Sequence, residues 1–142
     1  MFKVTFDSNI LVSALIKTNG KPAQIVARAR DGECQVVLCA AIRQETRRVF
    51  HYKHIQRKFH LSETDIEEFL TALFELNELV DVQHVENLIP QDPPDNIVLA
   101  CAVEGGAGYL VSGNLHLLDL KQHRGVKIVT PARFLEILNQ KS

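Results

Sequence analysis

A chain of 142 residues, 46% of them hydrophobic, is the size of one ordinary domain and carries enough apolar material for a single core. Its net charge of −1 excludes a uniformly basic nucleic-acid binder but permits opposed patches along the chain. No run approaches the ~20 apolar residues of a membrane span, and the N-terminus lacks the pattern of a signal peptide, so a cytoplasmic protein with no membrane partner is expected.

In chain order, the first predicted strand is Lys3–Phe6, and it leads into "VTFDSNILVSAL", residues 4–15. There Asp7, Ser8 and Asn9 lie between apolar flanks. Polar groups buried beside a core without partners cost ~1–3 kcal/mol each, so these three need a reason to be there. A second strand is predicted at Gln35–Cys39. From Arg43 to His60 the chain then holds six Lys or Arg, three His and one acid, interleaved with Phe50, Tyr52 and Phe59. That composition suits phosphate contact and base stacking, and equally a solvated helix face.

Ser62 with Asp65 forms a capping-box pattern, and Ile66, Phe69, Leu70, Leu73 and Leu76 follow as one apolar helix face. From Glu63 to Glu86 there are eight acids and no Lys or Arg. A third strand is expected at Leu79–Val82. "IPQDPPDN", residues 89–96, is the strong breaker, its prolines holding the chain extended until a helix starts around Asp95. Strands at Tyr109–Ser112 and Lys127–Val129 close the series. Thr130 and Pro131 then read as the N-cap and first residue of a helix carrying Phe134, Leu135 and Leu138.

This alternation predicts an α/β fold: one domain over residues 1–142, with a central, mostly parallel twisted sheet of about five strands and helices on both faces. Cys34, Cys39 and Cys101 are odd in number, form no CxxC and lie in apolar surroundings, which predicts buried structural thiols.

Ligand sites in open α/β sheets form outside the carboxyl ends of the strands. Asp7 and Asn114 directly follow predicted strands, Glu45 lies in the helix after the second, and Asp95 opens the helix after the proline-rich loop. Each has a plain alternative as a helix cap, a turn residue or a surface charge balancing Arg43 or Arg48. A dinucleotide enzyme is a poor reading, because "GGAG" at 105–108 precedes its strand and lacks the G-x-G-x-x-G spacing. No G-x-S-x-G elbow is present for a nucleophilic hydrolase.

Together, "FDSNILVSAL", "RQETRRVF", "DPPDNIVLACA", "GGAGYLVSGNLHLLDL" and "VKIVTPARFLE" resemble the PIN-domain family, specifically the small bacterial toxin components related to VapC-like ribonucleases. The resemblance implies a divalent-metal-dependent endoribonuclease with Asp7, Glu45, Asp95 and Asn114 as its catalytic and metal-binding positions. Asn114 stands where the family more usually has Asp. It further implies Ser8, Asn9 and Ser112 as residues that orient those ligands, with Asp92 an auxiliary at most; His116, two residues beyond Asn114, reads first as a loop residue, with a phosphate contact or a soft metal ligand as the alternatives. Arg43, Arg47 and Arg48 are the candidate RNA contacts. The implied cofactor is Mg²⁺ or Mn²⁺, since hard oxygen ligands select such ions. The implied partners are RNA, a cognate antitoxin and a second copy of the chain. The alternative reading is a catalytically weakened PIN-fold module that binds RNA or protein, because an amide at position 114 brings no charge to a metal.

Overall fold

The computed structural model describes residues 2–75 and 77–141, so Leu76 of the predicted apolar helix face lies outside the described residues. The chain runs β1 (Phe2–Phe6), α1 (Ser8–Ile16), α2 (Lys21–Arg30), β2 (Cys34–Leu38), α3 (Ala40–Phe50), α4 (Lys53–Phe59), α5 (Glu63–Glu75) and β3 (Glu78–Leu79). It continues through α6 (Pro93–Glu104), β4 (Tyr109–Val111), α7 (Leu115–Leu118), β5 (Gln122–His123), β6 (Val126–Val129) and α8 (Pro131–Lys141). The strands form one six-stranded sheet in the order β3-β2-β1-β4-β6-β5. All neighbours are parallel except β5 and β6. The α/β class and the mostly parallel sheet agree with the pattern read from the sequence.

The two faces of the sheet follow from the period-2 alternation of its strands. On one face the rings of Phe2, Phe6 and Tyr109 meet Phe134 of α8, with centroids 5.6–6.5 Å apart. On the other, Thr5 lies against the Cys101 thiol of α6. The three cysteines are buried and free.

Strands β1, β2, β4 and β6 match their predicted spans to within one residue, and three elements depart further from expectation. The third strand is only Glu78–Leu79, paired with Val37 and Leu38, not Leu79–Val82. After Val80 the chain leaves the sheet, because the amides of Gln83 and His84 bond to the Glu104 carboxylate at the end of α6. Helix α6 begins at Pro93 rather than near Asp95. Pro93 and Pro94 occupy its first two positions, where no amide hydrogen is required and a fixed φ suits the helix. The sixth strand, β5, joins β6 through Arg124 and Gly125, both with positive φ (48° and 85°), a tight hairpin turn. The caps agree with the sequence: Ser62 Oγ accepts from Asp65 N at 3.0 Å, and Thr130 Oγ1 accepts from Arg133 N at 3.1 Å.

The "GGAG" segment serves packing. Helix α6 ends against β2 so closely that a Cβ on Gly105 would collide with Val37 Cγ1 and press on Val80. Gly105→Ala is therefore expected to destabilise the fold by about 1–3 kcal/mol through forced displacement of the α6–β2 contact. A melting temperature lowered by several degrees, with Gly113→Ala as a control that meets nothing within 4 Å, checks this.

Candidate active site

The chain runs from β1 outward to β2 and β3, then returns to place β4 on the other side of β1. The crevice between the carboxyl ends of β1 and β4 is thus the switch point of the sheet. Asp7 emerges there from β1, its amide donating to Val111 O at 3.0 Å, and Ser112 and Asn114 emerge beside it from β4. Helix α6 delivers Asp92 and Asp95 to the same crevice, Asp92 as its N-cap and Asp95 in its first turn.

Asp7 sits at the N-cap position of α1, yet its side chain makes no capping hydrogen bond. Its carboxylate is held from the side instead. Ser112 Oγ donates to Asp7 Oδ2 at 2.8 Å, and Ser8 Oγ lies 3.5 Å from Oδ1. Ser112 Oγ also accepts from the Asn114 amide at 3.0 Å, so one hydroxyl fixes both strand ends. Asp7, Ser8 and Ser112 are buried, whereas Asn9 is exposed on the first turn of α1 and makes no side-chain hydrogen bond among the described residues.

Asn114 caps α7 and bridges acids at once. Its Oδ1 accepts from His116 N at 2.9 Å, while its Nδ2 donates to Asp95 Oδ2 at 2.7 Å and to Asp92 Oδ2 at 3.2 Å. The amide therefore turns its donor end toward the carboxylates. His116 lies in α7 rather than in a loop, because the Asn114 cap starts a helix there, and it is exposed, with Nδ1 3.3 Å from Gln91 Nε2.

Burial, then repulsion from Asp7 and Asp92 and a hydrogen bond shared with Asp92, push Asp95 up to about 7. Burial likewise raises Asp7, against the lowering effect of its hydrogen bonds from Ser112 and Ser8. Glu45 approaches from α3 and adds to the repulsion on Asp95, with its own carboxylate ion-paired to Arg48 at 2.6 Å. It lines a groove of about 280 Å³ between α3 and α6, together with Arg48, Pro94 and Ile97.

Of the predicted site residues, the fold thus gathers Asp7, Ser8, Ser112, Asn114 and Asp95 tightly, brings Glu45 to the edge and leaves Asn9 outside. Asp92 is drawn further in than its sequence position suggested. Among the described residues no three His, Cys, Asp or Glu side chains are already arranged as metal ligands. The carboxyl oxygens of Asp7, Asp92 and Asp95 are nonetheless hard donors of the kind that Mg²⁺ or Mn²⁺ takes.

The three candidate RNA arginines are all engaged. Arg47 bonds to Glu67 of α5, Arg43 lies 3.9 Å from the same carboxylate and over the Phe74 ring, and Arg48 holds Glu45. The basic and acidic blocks of the sequence thus meet across α3 and α5.

One residue that the sequence reading passed over organises the proline-rich loop. Asn96 Oδ1 accepts from the amides of Leu88 and Ile89, and its Nδ2 donates to Ile89 O and Asn87 Oδ1. Its place directly after Asp95 was the only available signal, and it looked like an ordinary helix position.

These features define a doubly wound α/β domain with an acid cluster at the switch point of its parallel sheet. The chain belongs to the PIN-domain family: the model of the PIN domain matches residues 3–116, a span that includes Asp7, Glu45, Asp92, Asp95 and Asn114. Helix α8 and strand β6 lie beyond that match. Among solved structures the fold is similar to the crystal structure of VapBC2 from Rickettsia felis bound to a DNA fragment from their promoter, with a TM-score of 0.60 and 13% identity over 91% of this chain and 98% of that one. No curated protein matches the chain.

The raised acids predict a pH dependence. Asp95 has a folded value of about 7 against 3.8 in the free side chain, so the folded chain retains a proton there that the unfolded chain releases. In EDTA, stability should then fall as pH rises from about 4 to about 7 and level off above. Melting temperatures from pH 4 to 8 check this, and Asp95→Asn should flatten that part of the curve.

Proposed function

We propose that the chain is a divalent-metal-dependent endoribonuclease that hydrolyses RNA phosphodiester bonds in the cytoplasm as the toxin of a toxin–antitoxin pair. The observation that carries this reading is the convergence of Asp7, Asp92 and Asp95 at the switch point, where the Asn114 side-chain amide and the Ser8 and Ser112 hydroxyls hold them. Membership of the PIN family and the likeness to a VapBC complex support a nuclease with an antitoxin partner. A homodimer belongs to the same reading.

Asp7 and Asp95 would hold the ion, with Glu45 and Asp92 at its margin. The ion would supply a Lewis acid for the scissile phosphate and lower the pKa of its water. Ser112 and Ser8 fix both oxygens of Asp7, which keeps that carboxylate in one orientation. Asn114 holds Asp92 and Asp95 together by its amide donors. Arg48 holds Glu45 at the edge of the groove by a charge-assisted hydrogen bond.

A second reading has its own observation. Asn114 presents Nδ2 to the acids while its Oδ1 is taken by His116, so the amide opposes the carboxylates as a donor and not as a ligand. A site weakened in this way suits a module that binds RNA or protein without cleaving.

The decisive experiment is cleavage of single-stranded and structured RNA with and without Mn²⁺. Asp7→Asn and Asp95→Asn should each lower turnover by about two orders of magnitude or more while the fold persists. Unchanged turnover in either purified variant contradicts the assignment.

Asn114→Asp separates the two readings by its sign. The variant loses the amide bridge and adds a like charge, so its melting temperature in EDTA should fall. Added Mn²⁺ should then raise it by more than it raises the parent's. An equal or smaller gain favours the binding module.

A further inference from the structure

Within the basic block of residues 43–60, the positive charge left without an ion pair among the described residues lies on α4. Of the six Lys and Arg between residues 43 and 60, Arg47 is ion-paired to Glu67, Arg43 lies 3.9 Å from the same carboxylate, and Arg48 is ion-paired to Glu45. Glu63, the acid that follows the block, is taken by His51. Lys53, Arg57 and Lys58 are exposed, and among the described residues none of them forms an ion pair. His54 and His60 stand exposed beside them.

The aromatic residues of the same block divide just as sharply. Phe50 is fully buried against Phe69 and Phe59 is half-buried, whereas Tyr52 is 39% exposed at the turn between α3 and α4. Its ring lies 5.8 Å from the His54 ring, and its hydroxyl is near enough to the Arg48 guanidinium to act on it electrostatically. Glu45, Arg48, Tyr52 and His54 are thus neighbours in succession, a path from the edge of the acid cluster to α4, the helix that carries Lys53, Arg57 and Lys58.

We propose that this path is a track for single-stranded RNA, with phosphates on Lys53, Arg57 and Lys58 and a base stacked on Tyr52. Three unpaired cations fit a polyanion of any kind, and an exposed flat ring among them fits a base in particular. The track rests on the ribonuclease reading for the position of the strand's other end, and it extends that reading by about one helix beyond the groove beside Glu45.

The test is binding of a labelled single-stranded RNA of about 20 nucleotides, longer than a typical single-strand site, to the full chain in EDTA over a range of salt. Combined Lys53→Ala, Arg57→Ala and Lys58→Ala should lower the log–log salt slope by about 2 and weaken affinity about tenfold or more, since each lost phosphate contact removes roughly 0.7 from the slope. The same variant should cleave a dinucleotide in Mn²⁺ as the parent does, because so short a substrate does not reach α4.

Tyr52→Ala should weaken RNA binding about tenfold with the slope unchanged, Tyr52→Phe should restore it, and poly(L-glutamate) binding should be unaffected by either. A triple variant with the parental slope overturns the track, as does a parent that binds no single-stranded RNA. Equal weakening of RNA and poly(L-glutamate) by Tyr52→Ala also overturns it, in favour of an acidic protein partner. A parent that binds RNA through α4 yet cleaves nothing defeats the ribonuclease reading and leaves the track standing, whereas a working nuclease indifferent to the α4 changes does the reverse.

Discussion

Like charges brought together out of water are the constraint around which this molecule is arranged. Asp7, Asp92 and Asp95 meet where β1 and β4 end and α6 begins, and their repulsion in a poorly solvated crevice would be costly if the side chains were free to choose their positions. They are not free. Ser112 binds Asp7, Asn114 spans Asp92 and Asp95, and the Ser112 hydroxyl is itself held by the Asn114 amide. These few hydrogen bonds hold the three carboxyl groups side by side at one point of the crevice.

The scaffold serves that point by rigid packing rather than by loops. The aromatic contacts of Phe2, Phe6 and Tyr109 with Phe134 fix α8 against one face of the sheet, and the close end of α6 at Gly105 fixes the opposite face. With both ends of α6 constrained, at Gly105 and at the Asn96-bonded loop, Asp95 has little latitude. Buried carboxylates raised in this way are a recurrent mark of functional sites, though structural networks can produce them too.

Charge in the rest of the chain is sorted by pairing. The acidic α5 neutralises the inner part of the basic block and leaves the outer part, on α4, facing solvent. Each exposed pair contributes little stability in water, so the effect of the arrangement is on where a polyanion finds free cations. A net charge of −1 conceals this division entirely.

Much of the fold was legible from the sequence because it is written in local chemistry. Period-2 strands, the Ser62 and Thr130 caps and the apolar faces of α5 and α8 depend on neighbours three or four residues away, and the structure bears them out. Asp7, Asn114 and Asp95 could likewise be singled out from their places after strands and at a helix start, whereas Ser112 was signalled only by the family resemblance. What the sequence could not decide was which partner each polar group would find across the fold. The shortening of β3 required Glu104 to take the amides of Gln83 and His84 from a position about twenty residues away. The role of Asn114 depended on which end of its amide faces Asp95, and the availability of the basic block depended on Glu67 lying opposite Arg47. Hydrogen bonds and ion pairs between distant segments are set by tertiary geometry, and no periodicity along the chain records them.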